Sequence, residues 1–218
     1  LGYGNLENLG DGCIGTEYDR ECTSGSAEMG ANINPVDFGG DIVAIDIGSG
    51  YAHSCALFTD GAIKCWGENS VGQLGRGDKE IVGDGCTGEV YTTRDCTDAN
   101  NEMGENLIAV SLSADNAQKA LQLVSGSRFN CAWLDNQSLK CWGDNSKGQL
   151  GLGDTVPRGD DADYMGSALD AVELNGLSLK SISAGKQHTC VLLHNHQVKC
   201  WGSYAYGKLG RPGDEVLG

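Results

Sequence analysis

The sequence predicts an all-β protein assembled from a repeated unit, and three observations predict it. A hairpin-like stretch with one cysteine on each arm occurs at 53–78 (HSCALFTDGAIKCWGENSVGQLGRGD), 130–154 (NCAWLDNQSLKCWGDNSKGQLGLGD) and 188–213 (HTCVLLHNHQVKCWGSYAYGKLGRPG). An apolar run ending in Gly precedes each copy: AIDIGSG at 44–50, ALQLVSG at 120–126 and KSISAG at 180–185. No stretch carries the 3.6-residue apolar period of a helix, whereas short alternating runs bounded by Gly, Asn, Asp and Ser recur along the chain.

The repeat has a constant part and a variable part. Trp66 and Trp142 stand 76 residues apart, and Trp142 and Trp201 stand 59 apart, so the hairpin is fixed and its connection changes length. Such a unit belongs to a propeller, a solenoid or an array. Each connection opens on a Leu-Gly pair (Leu1-Gly2, Leu74-Gly75, Leu150-Gly151, Leu209-Gly210), and the first three converge on Met29, Met103 and Met165. From opening Leu to Met the separations are 28, 29 and 15 residues, and the two long versions hold extra cysteine pairs, Cys13/Cys22 and Cys86/Cys96. Surface loops stapled by their own disulfides account for this. The expected organisation is one repeat domain over 1–218, divided as 1–73, 74–149 and 150–208, with 209–218 starting a fourth unit.

Within the first hairpin, Thr59-Asp60-Gly61 reads as a three-residue loop, with Gly61 supplying the left-handed conformation that such a turn needs. Cys55 then faces Cys65 and Leu57 faces Ile63. Later copies pair Cys131 with Cys141, Trp133 with Leu139, Cys190 with Cys200 and Leu192 with Val198. One face is therefore apolar in every copy, as the period of two requires. Ala56, Lys64 and Trp66 and their counterparts, including Lys140, Lys199, Trp142 and Trp201, lie on the other face and suit a strand packed between neighbouring sheets. Opposed cysteines at a non-hydrogen-bonded position close a disulfide easily, and each such 11-residue loop contributes about 2–3 kcal/mol. Gln137 and His196 replace Gly61 in the other turns, so either those loops differ or a non-glycine residue bears strain there.

Composition narrows the function classes. The net charge is −15, from 15 Lys+Arg against 30 Asp+Glu, and the basic residues are scattered singly. That excludes nucleic acid and anionic membrane surfaces as expected partners, since a phosphate-binding face needs clustered cations. No apolar run approaches the length needed to cross a bilayer. All ten cysteines fall into local pairs, four with a separation of ten and Cys13/Cys22 with nine, and none forms C-x-x-C knuckles or interleaves with His as zinc sites do. The expectation is five disulfides and an oxidising, secreted or extracellular location. The chain opens LGYGN with neither Met nor a basic-then-apolar leader, so any signal peptide is expected to have been removed or to lie outside this sequence.

The pattern G-x-x-H-[ST]-C-x-L-x(5)-V-K-C-W-G-x-N-x-x-G-Q-L-G-x-G-D is carried by Gly50, His53, Trp66, Gly67, Asn69, Gly72, Gln73, Leu74, Gly75, Gly77 and Asp78 and their later counterparts. It resembles the repeat of the regulator-of-chromosome-condensation family, over most of the chain outside the cysteine-bearing loops. The resemblance implies a β-propeller, usually of seven four-stranded blades, and the paired cysteines look like its secreted branch. Two departures stand out: Phe129 takes the place of His53 and His188, and Tyr204-Ala205-Tyr206 replaces the Asn-containing turn. Three units and the start of a fourth do not make seven blades. The expected object is an open array or part of a larger propeller or assembly, completed by further repeats of the same chain or by other copies head to tail.

No catalytic constellation appears. His53 and His188 share one repeat position and read as structural, while His194 and His196 flank a hairpin turn and read as solvated. The cysteines are consumed in disulfides, and the G-x-G patterns lie in turns without opening helices, which argues against a phosphate loop. Asp11, Asp84, Asp160, Asp161 and Asp163 supply carboxylates suited to calcium, but without the spacing of a calcium loop, so a solvated acidic loop is the plainer reading. No other cofactor is expected. Asn136-Gln137-Ser138 is the one N-glycosylation sequon, on a hairpin tip. Tyr3, Tyr18, Tyr51, Tyr91, Tyr204 and Tyr206 and the long loops 5–28 and 78–102 are candidate recognition surface, because loops on a rigid scaffold usually carry function.

Taken together, these features predict a non-catalytic extracellular repeat protein acting as a structural or protein-interaction scaffold. A secreted ligand-binding propeller, glycan-binding or enzyme-inhibiting, is the alternative, and the resemblance also implies nucleotide exchange on a small GTPase as a third.

Overall fold

The computed structural model describes residues 34–86 and 102–210 together with the backbone of 13–16 and 19–22. Its regular elements are strands and single-turn 3-10 segments, as the alternating patterns predict. Strands β1 (Cys13–Thr16) and β2 (Asp19–Cys22) form a hairpin in which Cys13 lies opposite Cys22. Three antiparallel sheets follow. The first joins β3 (Ala44–Ser49), β4 (His53–Phe58) and β5 (Ile63–Gly67), and the second β6 (Ala120–Ser125), β7 (Phe129–Leu134) and β8 (Leu139–Gly143). The third joins β9 (Leu179–Ala184), β10 (His188–Leu193) and β11 (Val198–Gly202). The sheets are meanders with the second strand central, and none closes on itself. They are blades of a partial propeller.

The hairpin registers pair Cys55 with Cys65, Leu57 with Ile63, Trp133 with Leu139 and Leu192 with Val198. Disulfides join Cys55–Cys65, Cys131–Cys141 and Cys190–Cys200 across Cα separations of 4.0, 4.0 and 4.1 Å, the close spacing of non-hydrogen-bonded pairs. Cys86 is disulfide-bonded as well.

All three hairpins have the same three-residue loop, although only the first has glycine at its left-handed position. There φ is +86° at Gly61, +69° at Gln137 and +66° at His196. The residue before it holds each loop, because the side-chain oxygen of Asp60, Asn136 or Asn195 accepts the backbone N–H two residues on. The loop chemistry thus lies in the Asp/Asn position, which keeps the turn while the next residue varies.

Two features were not readable from the pattern. Each inner strand carries a register irregularity at the same place, between Ala44 and Asp46, between Ala120 and Gln122, and opposite Leu192 and Leu193, and this bends the strand. The outer strands of the first two blades, β5 and β8, are also covered by the segment that follows the next repeat's Met. Ala109 bridges Lys64 and Ala171 bridges Lys140, while the N–H groups of Val110 and Val172 donate to the carbonyls of Ile63 and Leu139, each at 2.8 Å. The fourth strand of a blade is therefore supplied by the following unit.

The core lies between blades. One cluster joins Cys55, Leu57, Ile63 and Cys65 to Ala120, Leu123, Ala132 and Leu134 of the second blade. The other joins Cys131, Leu139 and Cys141 to Leu179, Ile182, Val191 and Leu193 of the third. The third hairpin differs from the expected apolar burial: Cys190, Leu192 and Cys200 are half-buried and Val198 is exposed, because no described blade packs on them.

Replacing His196 by Gly relieves left-handed strain of about 1–2 kcal/mol against an unfolded-state entropy cost of about 0.5–1 kcal/mol. His196→Gly should raise stability by roughly 0.5–1 kcal/mol on these two magnitudes, measured as a higher urea midpoint at unchanged slope.

Candidate functional site

The repeated polar residues build one device, and it sits between blades. Asn69 shapes the turn after β5: its Oδ1 accepts the Leu74 N–H at 2.9 Å, and its Nδ2 donates to the Asp78 carbonyl and Oδ1 at 2.9 and 3.0 Å. Asn145 repeats this with Leu150 and Asp154. The turn pushes one peptide carbonyl into the next blade. The Gln73 carbonyl accepts from Asn130 Nδ2 at 2.7 Å and from the Trp142 indole at 3.1 Å. The Gln149 carbonyl accepts from Thr189 Oγ1 at 2.8 Å and from the Trp201 indole at 3.0 Å. Glycine follows because the turn lies flat on the indole. A Cβ on Gly75 would stand 2.9 Å from Trp142 Nε1, and one on Gly151 2.6 Å from Trp201 Nε1.

A polar seam runs beside the first junction. Arg128 Nη2 of the second blade donates to Glu68 Oε1 at 3.0 Å and also to Ser70 Oγ. Burial alone would raise the Glu68 carboxyl, but the hydrogen bonds from Ser70 and Arg128 outweigh it and hold the group below the usual range. His53 is buried at the same junction, with Nε2 donating to Asn130 Oδ1 at 3.0 Å, since Asn130 spends its amide protons on Gln73. Burial pushes the His53 imidazole pKa down, with the Asn130 hydrogen bond and Glu68 opposing and Arg128 adding to the shift. His188 is lowered too, by burial and then by the Lys208 charge. Both rings lie flat on a glycine, where a Cβ on Gly50 or Gly185 would meet ring carbon at 2.1 Å. Phe129 lies on Gly126 in the same way. The position needs a flat ring, which explains the departure at Phe129.

On the first blade the counterpart of the incoming turn's Leu74-Gly75 is Leu1-Gly2, which lies outside the described residues. At the equivalent place an open recess of about 400 Å³ is lined by Gly50, Tyr51, Ala52, His53, Ser54, Trp66 and Gly67. Neither the Trp66 indole nor the Ser54 hydroxyl has a hydrogen-bond partner among the described residues.

The other singled-out residues do not converge. Among the described residues no three His, Cys, Asp or Glu side chains form a group able to hold a metal. Asp160 pairs with Lys79 at 3.3 Å, Asp161 caps a 3-10 turn by accepting the Asp163 N–H, and Asp84 accepts the Cys86 N–H. Asp11 lies outside the described residues, as do Cys96, Tyr3, Tyr18, Tyr91 and most of the loops 5–28 and 78–102, while Cys13 and Cys22 are described by backbone alone. His194 and His196 are exposed. Asn136 is exposed too, and its Oδ1 accepts from the N–H and hydroxyl of Ser138. Tyr51, Tyr204 and Tyr206 are exposed, with Tyr51 on the rim of the recess and the other two on the last described turn.

The repeat described as "Regulator of chromosome condensation (RCC1) repeat" matches residues 44–73, 121–149 and 179–207, which are the three blades with their turns. The chain is an RCC1-repeat protein. Similar proteins include one from Homo sapiens named "Probable E3 ubiquitin-protein ligase HERC6", 30% identical over 171 residues, covering 78% of this chain and 14% of the relative. Another is the "Ultraviolet-B receptor UVR8" of Arabidopsis thaliana, 27% identical over 193 residues, covering 75% of this chain and 42% of that protein. This chain therefore spans less than half of either relative. Among solved structures, that of Prp20p from Saccharomyces cerevisiae, described with its binding properties to Gsp1p and histones, aligns at a TM-score of 0.51 and 22% identity, over 78% of this chain and 34% of that one. That likeness concerns the fold.

Two outcomes follow for the RCC1 repeats. Trp142→Phe removes a buried donor from the Gln73 carbonyl and should cost about 1–3 kcal/mol, whereas Trp66→Phe should cost less, as denaturant titration of both variants will read. The acid response follows from the two histidines. Their folded pKa values lie below the unfolded one, so the unfolded chain binds more protons as pH falls through about 6.5. Stability should be full above that pH and decline below it, and His188→Phe, which copies Phe129, should remove part of the decline in melting curves across the range.

Proposed function

We propose that this RCC1-repeat chain is a non-catalytic scaffold for protein interaction, working in an oxidising, extracellular setting within a larger propeller, oligomer or filament. We read it as one repeat domain divided after residues 73, 149 and 208. One observation carries the reading: the polar side chains that recur between units are spent on holding blade to blade, while the two ends of the blade array present apolar surface. Ile47 is 65% exposed where its counterparts Leu123 and Ile182 are 3% and 4%, and Val198 is 66% exposed where Ile63 and Leu139 are each 1%. Surfaces of that kind fit protein partners. The hairpin disulfides support the compartment, since such bonds persist outside reducing cytosol.

A glycan-binding role is the second reading, favoured by the exposed rings of Tyr51 and Tyr206. Nucleotide exchange, suggested by the Gsp1p binding of Prp20p, has less support, because the oxidised cysteines here suit a different compartment.

Cross-linking of the purified chain in extracellular fluid separates these readings. Protein adducts on the strands around Ile47 and Val198 with a blank glycan array are the expected result. Saccharide binding without protein adducts overturns the scaffold reading in favour of the second.

A further inference from the structure

The three hairpin tips are built alike, and the second differs in its chemistry. Asp60, Asn136 and Asn195 hold their loops through a side-chain oxygen, and all three residues are exposed. Asp60 has no amide nitrogen, and Asn195 donates from Nδ2 to Gln197 Oε1 at 3.0 Å. Asn136 is arranged otherwise. Its Oδ1 accepts both loop bonds, from the Ser138 N–H at 3.0 Å and from the Ser138 hydroxyl at 2.7 Å. Its Nδ2 has no hydrogen-bond partner among the described residues. The hydroxyl is particular to this tip as well, since Ala62 and Gln197 stand at the counterparts of Ser138.

That arrangement suits bond formation at the amide nitrogen. An amide nitrogen is a poor nucleophile because its lone pair is delocalised into the carbonyl. Hydrogen bonds donated to Oδ1 favour negative charge on that oxygen, and so ease the loss of a proton from Nδ2. The fold also keeps the site clear. Strand β7 runs from Phe129 to the tip and β8 returns from it to Gly143, whereas the Gln73 and Gln149 turns contact the opposite ends of their strands. A group on Nδ2 therefore meets neither junction. It also leaves Oδ1 in place, so the loop retains both of its hydrogen bonds.

We propose that Asn136 is a modification site that carries an N-linked oligosaccharide. The donor class is a lipid-linked oligosaccharide pyrophosphate. Asn136 Nδ2 forms a bond to the anomeric carbon of the first sugar, and the bond from that carbon to the pyrophosphate oxygen breaks. The lipid pyrophosphate leaves with the electron pair, and a base of the transferase takes one Nδ2 proton. Nothing is oxidised or reduced. The attached glycan covers the tip of the second blade with bulky, hydrated surface. This inference rests on the extracellular reading, because donor and transferase are met on the secretory route.

Expression of the 218-residue chain behind a cleavable signal peptide in a eukaryotic secretory host tests it. Intact mass and peptide mapping are read before and after a glycan-releasing amidase. The expected product is heavier than 22.8 kDa, and the amidase returns it to that mass with aspartate at position 136. Asn136→Asp keeps the Oδ1 acceptor that Asp60 supplies in the first blade, so it should fold and stay unmodified. Ser138→Ala, which copies Ala62, should lose the added mass too, and Ser138→Thr, which restores the hydroxyl, should regain it. Chain retained in the cells is mapped in the same way, because transfer precedes export. Added mass that survives in Asn136→Asp overturns the inference. A bare Asn136 on chain whose hairpin cysteines map as disulfides overturns it too and leaves the extracellular reading standing. A glycan on Asn136 with free thiols at Cys131 and Cys141 supports the inference and overturns the oxidising setting.

Discussion

At each junction one backbone carbonyl takes two side-chain donors from the next blade and, with the backbone bonds beside it, holds the array in register. The Gln73 and Gln149 carbonyls each reach into the next blade and meet two donors, an indole and a shorter polar side chain. Buried backbone acceptors need partners, and here the partner also fixes where the neighbouring blade sits. Around this contact the rest is arranged. Asn69 and Asn145 bend the turn, Asp78 and Asp154 hold the asparagine, and glycine keeps the turn flat on the indole. The apolar clusters between blades supply the bulk of the burial, but they slide more easily than a directed hydrogen bond. The polar contact therefore sets position, and the apolar contact sets strength.

The hairpins were legible in the sequence because a cysteine pair and a period of two leave one register open. Leu57 opposite Ile63 and Trp133 opposite Leu139 follow directly from placing a three-residue loop between them. The recurring Asn, Gln and Trp could be counted but not assigned, because their partners lie in another unit: Trp142 meets Gln73 across 69 residues. The fourth strand was hidden for the same reason, since Ala109 and Ala171 pair with strands of the preceding blade. The register irregularity in each inner strand leaves Ile45 and Leu121 exposed, where alternation alone places apolar residues inward.

Repeated positions divide by what they are asked to do. Where a ring must lie on glycine, His53, Phe129 and His188 share a shape, and Nδ1 of both His53 and His188 has no partner among the described residues, while Nε2 of His53 bonds Asn130. Where a donor must reach a carbonyl, Asn130 and Thr189 both suffice, but the indole is retained at both junctions. Substitution among the copies of one chain thus reports which atoms matter, and it does so without any comparison to other proteins.

Every described cross-link joins cysteines ten residues apart on one hairpin, and none ties one blade to another. Each bond therefore depends on its own hairpin alone. In each hairpin the two thiols are neighbours along the chain and directly opposed across the strands, so the native partner is the one nearest in reach. Each of these blades is thus clasped within itself, and its packing on the next blade needs no cross-link between them.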